Sequence, residues 1–371
     1  MVSNGFDCCA SSRTEKAKES TFDKLLLDGF SRVASKGLLR SQTSSLTRRT
    51  VEGNLGLVLQ HSPDHFANKR KSSGHKDVVM PVDPEVFNFN KVAKEEIVGV
   101  VEDAAGFAVT VIPCGSPLAI GHMLLVPRRD VVAPQVMTTE FLRCGLDLMA
   151  RTIRKDFRLL FNSLLGLASV NHFHYHGMYL DYCGFASGSR QFPVERVERS
   201  TVGGGRTEGK VCVELLAESQ WYCRGLVVTA GCKVGMAGEP PPGDIEALAT
   251  FAGNIIGLLQ SRNVPHNVMI APYQGERKPR QNEDIFAEET WQPLAASPEV
   301  YIFPRKPEDE CREDGGFNAA ICEISGLITC HNEDSFQQFD EDKVSTIFKQ
   351  DVSLAGDDFD DLICKVAWMV S

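Results

Sequence analysis

An α+β fold, with antiparallel strands and helices packed on one face, is what this sequence predicts, on three observations. From Val82 onward, short β-rich runs are broken by Gly and Pro. Two longer stretches carry apolar residues at helical spacing. Strand–helix–strand order occurs twice, which suggests two similar halves at about 82–182 and 210–331.

The first half opens with runs at 97–101, 107–112 and 122–126, read as a meander of strands. Thr138-Thr139 offers an N-cap ahead of Phe141, Leu142, Leu146, Leu148 and Met149, so a helix is expected to run to about Lys155. Runs at 157–164 and 169–180 then return to strand character, the second holding three histidines. Residues 182–209, rich in Gly, Ser and Arg around Gly203-Gly204-Gly205, read as a loop or insertion over the sheet. The second half repeats the order. Strands are expected at 211–216 and 226–229, and Pro240-Pro241-Pro242-Gly243-Asp244 leads into a helix from Ile245 to about Ser261. Strands follow at 267–271 and 300–303, then a charged loop at 307–316. Residues 1–80 read as a basic, partly disordered leader with local helices at best, since its apolar patches are limited to Leu25-Leu26-Leu27 and 55–59. Residues 81–335 form the catalytic domain in this reading, and 336–371 an acidic segment with a closing helix.

With 371 residues, 43% of them hydrophobic, the chain can bury a large core. Its net charge of −10 argues against a general nucleic-acid binder, which needs a surplus of Lys and Arg to follow phosphates. Only the first 80 residues run basic, with 13 Lys and Arg against 8 Asp and Glu. The 12 cysteines include no Cys-x-x-Cys pair and read as thiols in a reducing compartment. An apolar signal core and a run of roughly 20 apolar residues are both absent. These features predict a cytoplasmic protein with no membrane partner.

His172, His174 and His176 alternate with Phe173 and Tyr175. On a strand this period of two gathers three imidazoles on one face. Chance placement of half-buried histidines is one reading, and a Zn²⁺ site is a second, because imidazole is a good zinc ligand. The third is nucleophilic catalysis at phosphorus. A neutral imidazole is nucleophilic near pH 7, its other nitrogen can be fixed by a backbone carbonyl, and flanking rings can donate to phosphate oxygens. Only the third reading uses all three rings. It calls for no cofactor and no metal.

The run 172–179 resembles the H-φ-H-φ-H-φ-φ pattern of the histidine triad superfamily, apart from Gly177 in the first trailing position. About fifty residues upstream, Gly121-His122-Met123-Leu124-Leu125-Val126-Pro127-Arg128-Arg129 resembles the strand that lies beside the triad in that superfamily. The chain is more specifically similar to the GDP-sugar phosphorylase branch. The similar blocks are Phe87-Asn88-Phe89-Asn90-Lys91, Ser116-Pro117-Leu118, Phe161-Asn162-Ser163-Leu164, Ala168-Ser169-Val170-Asn171, His266-Asn267 and Phe317-Asn318-Ala319-Ala320-Ile321-Cys322-Glu323. Two departures stand out: Gly326-Leu327 replaces the Gly-His of the branch, and the insertion around Gly203 has no counterpart.

The resemblance implies phosphorolysis of a GDP-hexose through a guanylylated histidine. His174 would be the nucleophile, with His172 and His176 supporting the phosphate. Ser169 and Asn162 would contact phosphate or ribose, Asn90 and Lys91 would line part of the nucleotide pocket, and Arg305 and Lys306 would bind the acceptor phosphate. Each has a plainer reading as an ordinary strand, turn or solvated residue. Histidine rather than glutamine at position 176 favours GDP-D-glucose over the GDP-L-galactose of the plant enzymes. GDP-L-galactose phosphorolysis, nucleotide hydrolysis with water as acceptor, and a zinc enzyme stay open beside it. The order of elements is compatible with a site completed within one chain or by a homodimer.

Overall fold

The computed structural model describes residues 20–68, 70, 74–186, 189–202, 211–230, 245–272, 298–308 and 316–370. In chain order its elements are α1 (Thr21–Ser35), β1 (Thr47–Thr50), β2 (Val58–His61), α2 (Pro63–Asn68), β3 (Gly99–Glu102), β4 (Ala108–Pro113), β5 (Met123–Pro127), α3 (Thr139–Arg151), β6 (Phe157–Asn162) and β7 (Tyr175–Tyr179). There follow β8 (Arg199–Thr201), β9 (Val211–Leu216), β10 (Leu226–Ala230), α4 (Ile245–Ser261), β11 (His266–Ala271), β12 (Glu299–Pro304), α5 (Ile321–Ser325), β13 (Leu327–Cys330), α6 (Glu333–Gln338), α7 (Glu341–Ile347) and α8 (Gly356–Val370).

Ten of these strands form one antiparallel sheet in the order β3-β4-β5-β7-β6-β11-β12-β10-β9-β8. The order reads the same from either end: each five-stranded run is a meander followed by a helix, α3 or α4, and a closing hairpin. The seam between the runs is β6 against β11, with Asn162 opposite Asn267. A smaller sheet, β1-β2-β13, has β2 and β13 parallel.

Alternation along the strands sends side chains into two cores. Leu226 and Val228 face one and Val227 the other. The first core is covered by α1, α3, α4 and α8. The helical spacing of Phe141, Leu142, Leu146, Leu148 and Met149 puts them there, and the Thr138 hydroxyl caps α3 by accepting from Phe141 N at 3.2 Å. Helices are not confined to that face: α5, α6 and α7, together with the small sheet, cover the second core. This is why β11 and β12 are buried along their whole length rather than alternately.

The expectation of a leader through residue 80 is corrected by α1. Phe22, Leu26, Leu27, Phe30 and Val33 form an apolar face that joins the first core. Buried Asp23 ties the helix down. It completes a capping box with Ser20, and its carboxylate accepts from Thr152 Oγ1 (2.6 Å) and the Tyr179 hydroxyl (2.9 Å). The 182–209 stretch is likewise not all loop. β8 closes the sheet edge, and Glu195 enters the interior as a two-point partner of buried Arg158 (Nη2–Oε2 2.7 Å, Nε–Oε1 2.8 Å). Gly203, Gly204 and Gly205, the 240–244 punctuation and most of the 307–316 loop lie outside the described residues.

Candidate active site

The strand expected over 169–180 is paired only from Tyr175. The reason is Gln135, an amide in the otherwise apolar run Val131-Val132-Ala133-Pro134-Gln135-Val136-Met137. Fully buried, its side chain takes the place of a neighbouring strand. Its Oε1 accepts from His174 N (2.9 Å), and its Nε2 donates to His174 O (3.2 Å) and to Asn162 O (3.0 Å). Phe173 N donates to Ala133 O at 2.8 Å. The approach to β7 is therefore pinned by side-chain and loop bonds, and Phe173 and Tyr175 anchor it in the first core, Phe173 stacking on Phe141 at 3.9 Å. Gly177 departs from the apolar pattern because a Cβ there would meet the Phe157 ring at 3.1 Å.

The three histidines lie on the opposite side of this segment, and hydrogen bonds fix the tautomer of each. His174 Nδ1 is 2.8 Å from the His172 carbonyl, which can only accept, so Nδ1 carries the proton and Nε2 the lone pair. His172 Nδ1 accepts from Phe89 N at 3.0 Å, so its proton is on Nε2, a buried atom without an acceptor among the described residues. The third ring is set by a relay. Leu118 N donates to His122 Nδ1 (3.1 Å), leaving the His122 proton on Nε2, which donates to His176 Nδ1 (2.9 Å). The His176 proton is then on Nε2. One lone pair thus stands between two N–H donors, with the His174 and His176 rings 5.1 Å apart. His122, in the run that resembles the strand beside the triad, bonds both backbone and triad.

Burial keeps four of the site's imidazoles, His122, His172, His174 and His266, neutral. It lowers His172 and His174 to about 4, His122 to about 3 and, across the seam, His266 to about 4. Arg129 and His174 add to the shift on His172. Between their folded values and 6.5, the unfolded chain binds protons that these four rings refuse, so stability rises with pH across that window. Urea midpoints are accordingly expected to hold above pH 6.5 and to fall as the pH is taken from 6.5 towards 4.

The remaining expected residues are placed as follows. Asn162 Oδ1 accepts from Asn267 Nδ2 (2.6 Å) and from Ile321 N at the start of α5 (3.0 Å), so the amide orientation is fixed and Nδ2 is its donor. Half-buried Ser169 follows a tight loop in which Leu165 (φ 56°) and Leu167 (φ 74°) are left-handed. Segments beyond the seam hold that loop: Asn267 Nδ2 donates to Gly166 O (2.8 Å) and Glu308 N to Leu165 O (2.7 Å). Lys91 Nζ donates to the carbonyls of Pro84, Glu85 and Val86, closing the turn that carries Phe89, while Asn90 is exposed. The Phe89 ring lies 5.3 Å from His172 and 4.9 Å from His174. Arg305 is buried against Glu308 and Ala319 O, and Lys306 reaches Gln350 O. Those contacts occupy both basic groups within the fold. Gly326, where the branch pattern places Gly-His, caps α5 with φ 113°, and Leu327 behind it enters the second core.

Among the described residues, the His/Cys group with metal-binding geometry is Cys114, His122 and His176, with ligand atoms within 4.8 Å of one another. Only one triad ring belongs to it. No helix of the described residues is long and apolar enough to cross a membrane.

Known proteins are similar to this chain in fold and in sequence. The ten-stranded architecture resembles the crystal structure of yeast Ap4A phosphorylase Apa2 (TM-score 0.57, 12% identity, 91% of this chain and 97% of that one). In sequence, the chain is 25% identical to GDP-D-glucose phosphorylase 1 of Xenopus laevis over 92% of this chain and 86% of the relative. It is 26% identical to the Danio rerio protein of the same name (92% and 89%). GDP-L-galactose phosphorylase 2 of Arabidopsis thaliana is 27% identical over 64% of this chain and 54% of the relative. Family models match almost end to end, the GDPGP1-like N-terminal domain over residues 21–178 and the GDPGP1-like C-terminal domain over 193–370. The chain that folds around this histidine cluster belongs to the GDPGP1-like family.

Proposed function

We propose that this chain is a GDP-hexose phosphorylase that converts GDP-D-glucose and inorganic phosphate to GDP and glucose 1-phosphate. The observation that carries the reading is the tautomer of His174, whose Nδ1–H is held by the His172 carbonyl so that Nε2 is the nucleophile. In the first step Nε2 bonds to the α-phosphorus, and the bond from that phosphorus to the bridging oxygen breaks. Hexose 1-phosphate departs. The guanylylated ring is cationic, and its Nδ1–H stays on the carbonyl, which stabilises the charge without a proton transfer. In the second step an oxygen of inorganic phosphate bonds to the same phosphorus, the N–P bond breaks and GDP forms. The N–H groups of His172 and His176 serve the non-bridging oxygens, where negative charge builds. Asn162 Nδ2 and Ser169 complete the nucleotide's phosphate and ribose contacts, and Phe89 and its turn form a wall beside the histidines.

GDP-D-glucose is preferred over GDP-L-galactose on two grounds. The third triad position is His176, and the relatives named GDP-D-glucose phosphorylase 1 align with 86–92% of this chain, against 64% and 73% for two plant GDP-L-galactose phosphorylases. The two halves form one sheet within a single chain, so the scheme needs no second copy. Among the described residues the cysteines are free and largely buried, which agrees with a cytoplasmic reaction. Product analysis with and without phosphate tests the proposal. GDP formed only when inorganic phosphate is present is the expected result; GMP formed at the same rate in its absence identifies a hydrolase instead.

A further inference from the structure

The turn after β5 carries two arginines that the fold treats differently. Arg128 makes a two-point pair with Glu140 (Nη1–Oε2 3.2 Å, Nη2–Oε1 2.8 Å) and lies 3.5 Å from the centre of the Phe107 ring. Arg129 donates from Nη1 to Phe89 O at 3.3 Å, and among the described residues no carboxylate pairs with it. A half-buried guanidinium without a counter-charge beside neutral imidazoles suits the binding of an anion.

The backbone holds Arg129 there against its own preferences. Arg128 (φ 47°, ψ 46°) and Val132 (φ 51°, ψ 52°) flank the turn in the left-handed region, where a β-branched residue is especially disfavoured. The anchor also leads directly to the triad. Phe89, whose carbonyl accepts from Arg129, donates its N–H to His172 and packs its ring 4.9 Å from His174. The charge of Arg129 is felt at the His172 ring.

We propose that Arg129 holds the phosphate that leaves with the hexose and the phosphate that enters in its place. The assignment rests on the phosphorolysis reading. In a double displacement both groups lie on the side of the α-phosphorus away from His174, so a single cation serves both. His172 and His176 supply neutral N–H donors, and Arg129 supplies the permanent charge that favours a phosphate acceptor over water.

Arg129→Gln and Arg129→Lys in the full chain test this with two guanylyl donors. One is GDP-glucose; the other is the p-nitrophenyl ester of GMP, whose leaving group carries no phosphate. Arg129→Gln is expected to raise the KM for inorganic phosphate about tenfold or more and to slow guanylylation by GDP-glucose to a similar degree. Guanylylation by the ester should change by less than about twofold, and Arg129→Lys should recover part of the phosphate affinity. A parallel loss with both donors, or an unchanged KM for phosphate, overturns the assignment, since Arg129 would then act only through Phe89. A wild-type protein that accepts guanylyl groups from neither donor overturns the phosphorolysis reading itself.

Discussion

Replacing His174 with alanine is expected to lower turnover of GDP-glucose by at least about 10⁴-fold while leaving the fold intact. The two effects separate because the bonds that pin this residue, from Gln135 to its N–H and its C=O, are made by its backbone and survive the substitution. What is lost is the lone pair on Nε2. Neither neighbour replaces it, since His172 and His176 each accept through Nδ1 and present an N–H on the other nitrogen. Rates of GDP release, read beside the urea midpoint, check both halves of the expectation. A variant that keeps even a few per cent of the wild-type rate would point to another nucleophile.

Gln135→Ala should affect both catalysis and stability. Without the amide, His174 N, His174 O and Asn162 O each lose a partner in a dry part of the molecule, at about 1–3 kcal/mol per unmet group. A net destabilisation of about 3 kcal/mol is expected. The segment holding His174 would also lose its register, and displacement of a reacting atom by an ångström costs about 10²-fold in rate. The rate loss should appear in kcat with little change in KM for GDP-glucose, because Gln135 touches the nucleophile's backbone and not the substrate. Gln135→Glu should do no better, since a carboxylate can accept from His174 N–H but cannot donate to the two carbonyls.

Much of this arrangement is legible in the sequence because it depends on periodicity and punctuation. The expected positions of β4, β5, β9 and α4 lie within a residue or two of those observed, and Thr138 is the cap it resembles. The face shared by His172, His174 and His176 follows from alternation with two aromatics that belong to the core. The less legible features are those where one side chain stands in for a backbone partner. Nothing in the spacing shows that Gln135 replaces a strand beside His174; a lone amide in an apolar run was the only sign. Basic residues are hard to read for a related reason. Lys91, Arg305, Arg128 and Arg129 look alike in sequence, yet Arg305 and Arg128 pair with carboxylates and Lys91 closes its own turn on three carbonyls, while Arg129 makes one bond to the Phe89 carbonyl and has no carboxylate partner among the described residues. The α1 face is hard to read because its apolar residues are diluted by charges in a basic segment, although their spacing is helical.

Transfer of the guanylyl group to His174 is tested most directly by incubating the protein with GDP-glucose bearing a radioactive α-phosphate and quenching before phosphate is added. Acid-labile, base-stable label is expected on the wild-type protein and none on His174→Asn, with release of the label as GDP when inorganic phosphate is supplied. Label that persists in His174→Asn, or a wild-type protein that turns over GDP-glucose without ever becoming labelled, would contradict it.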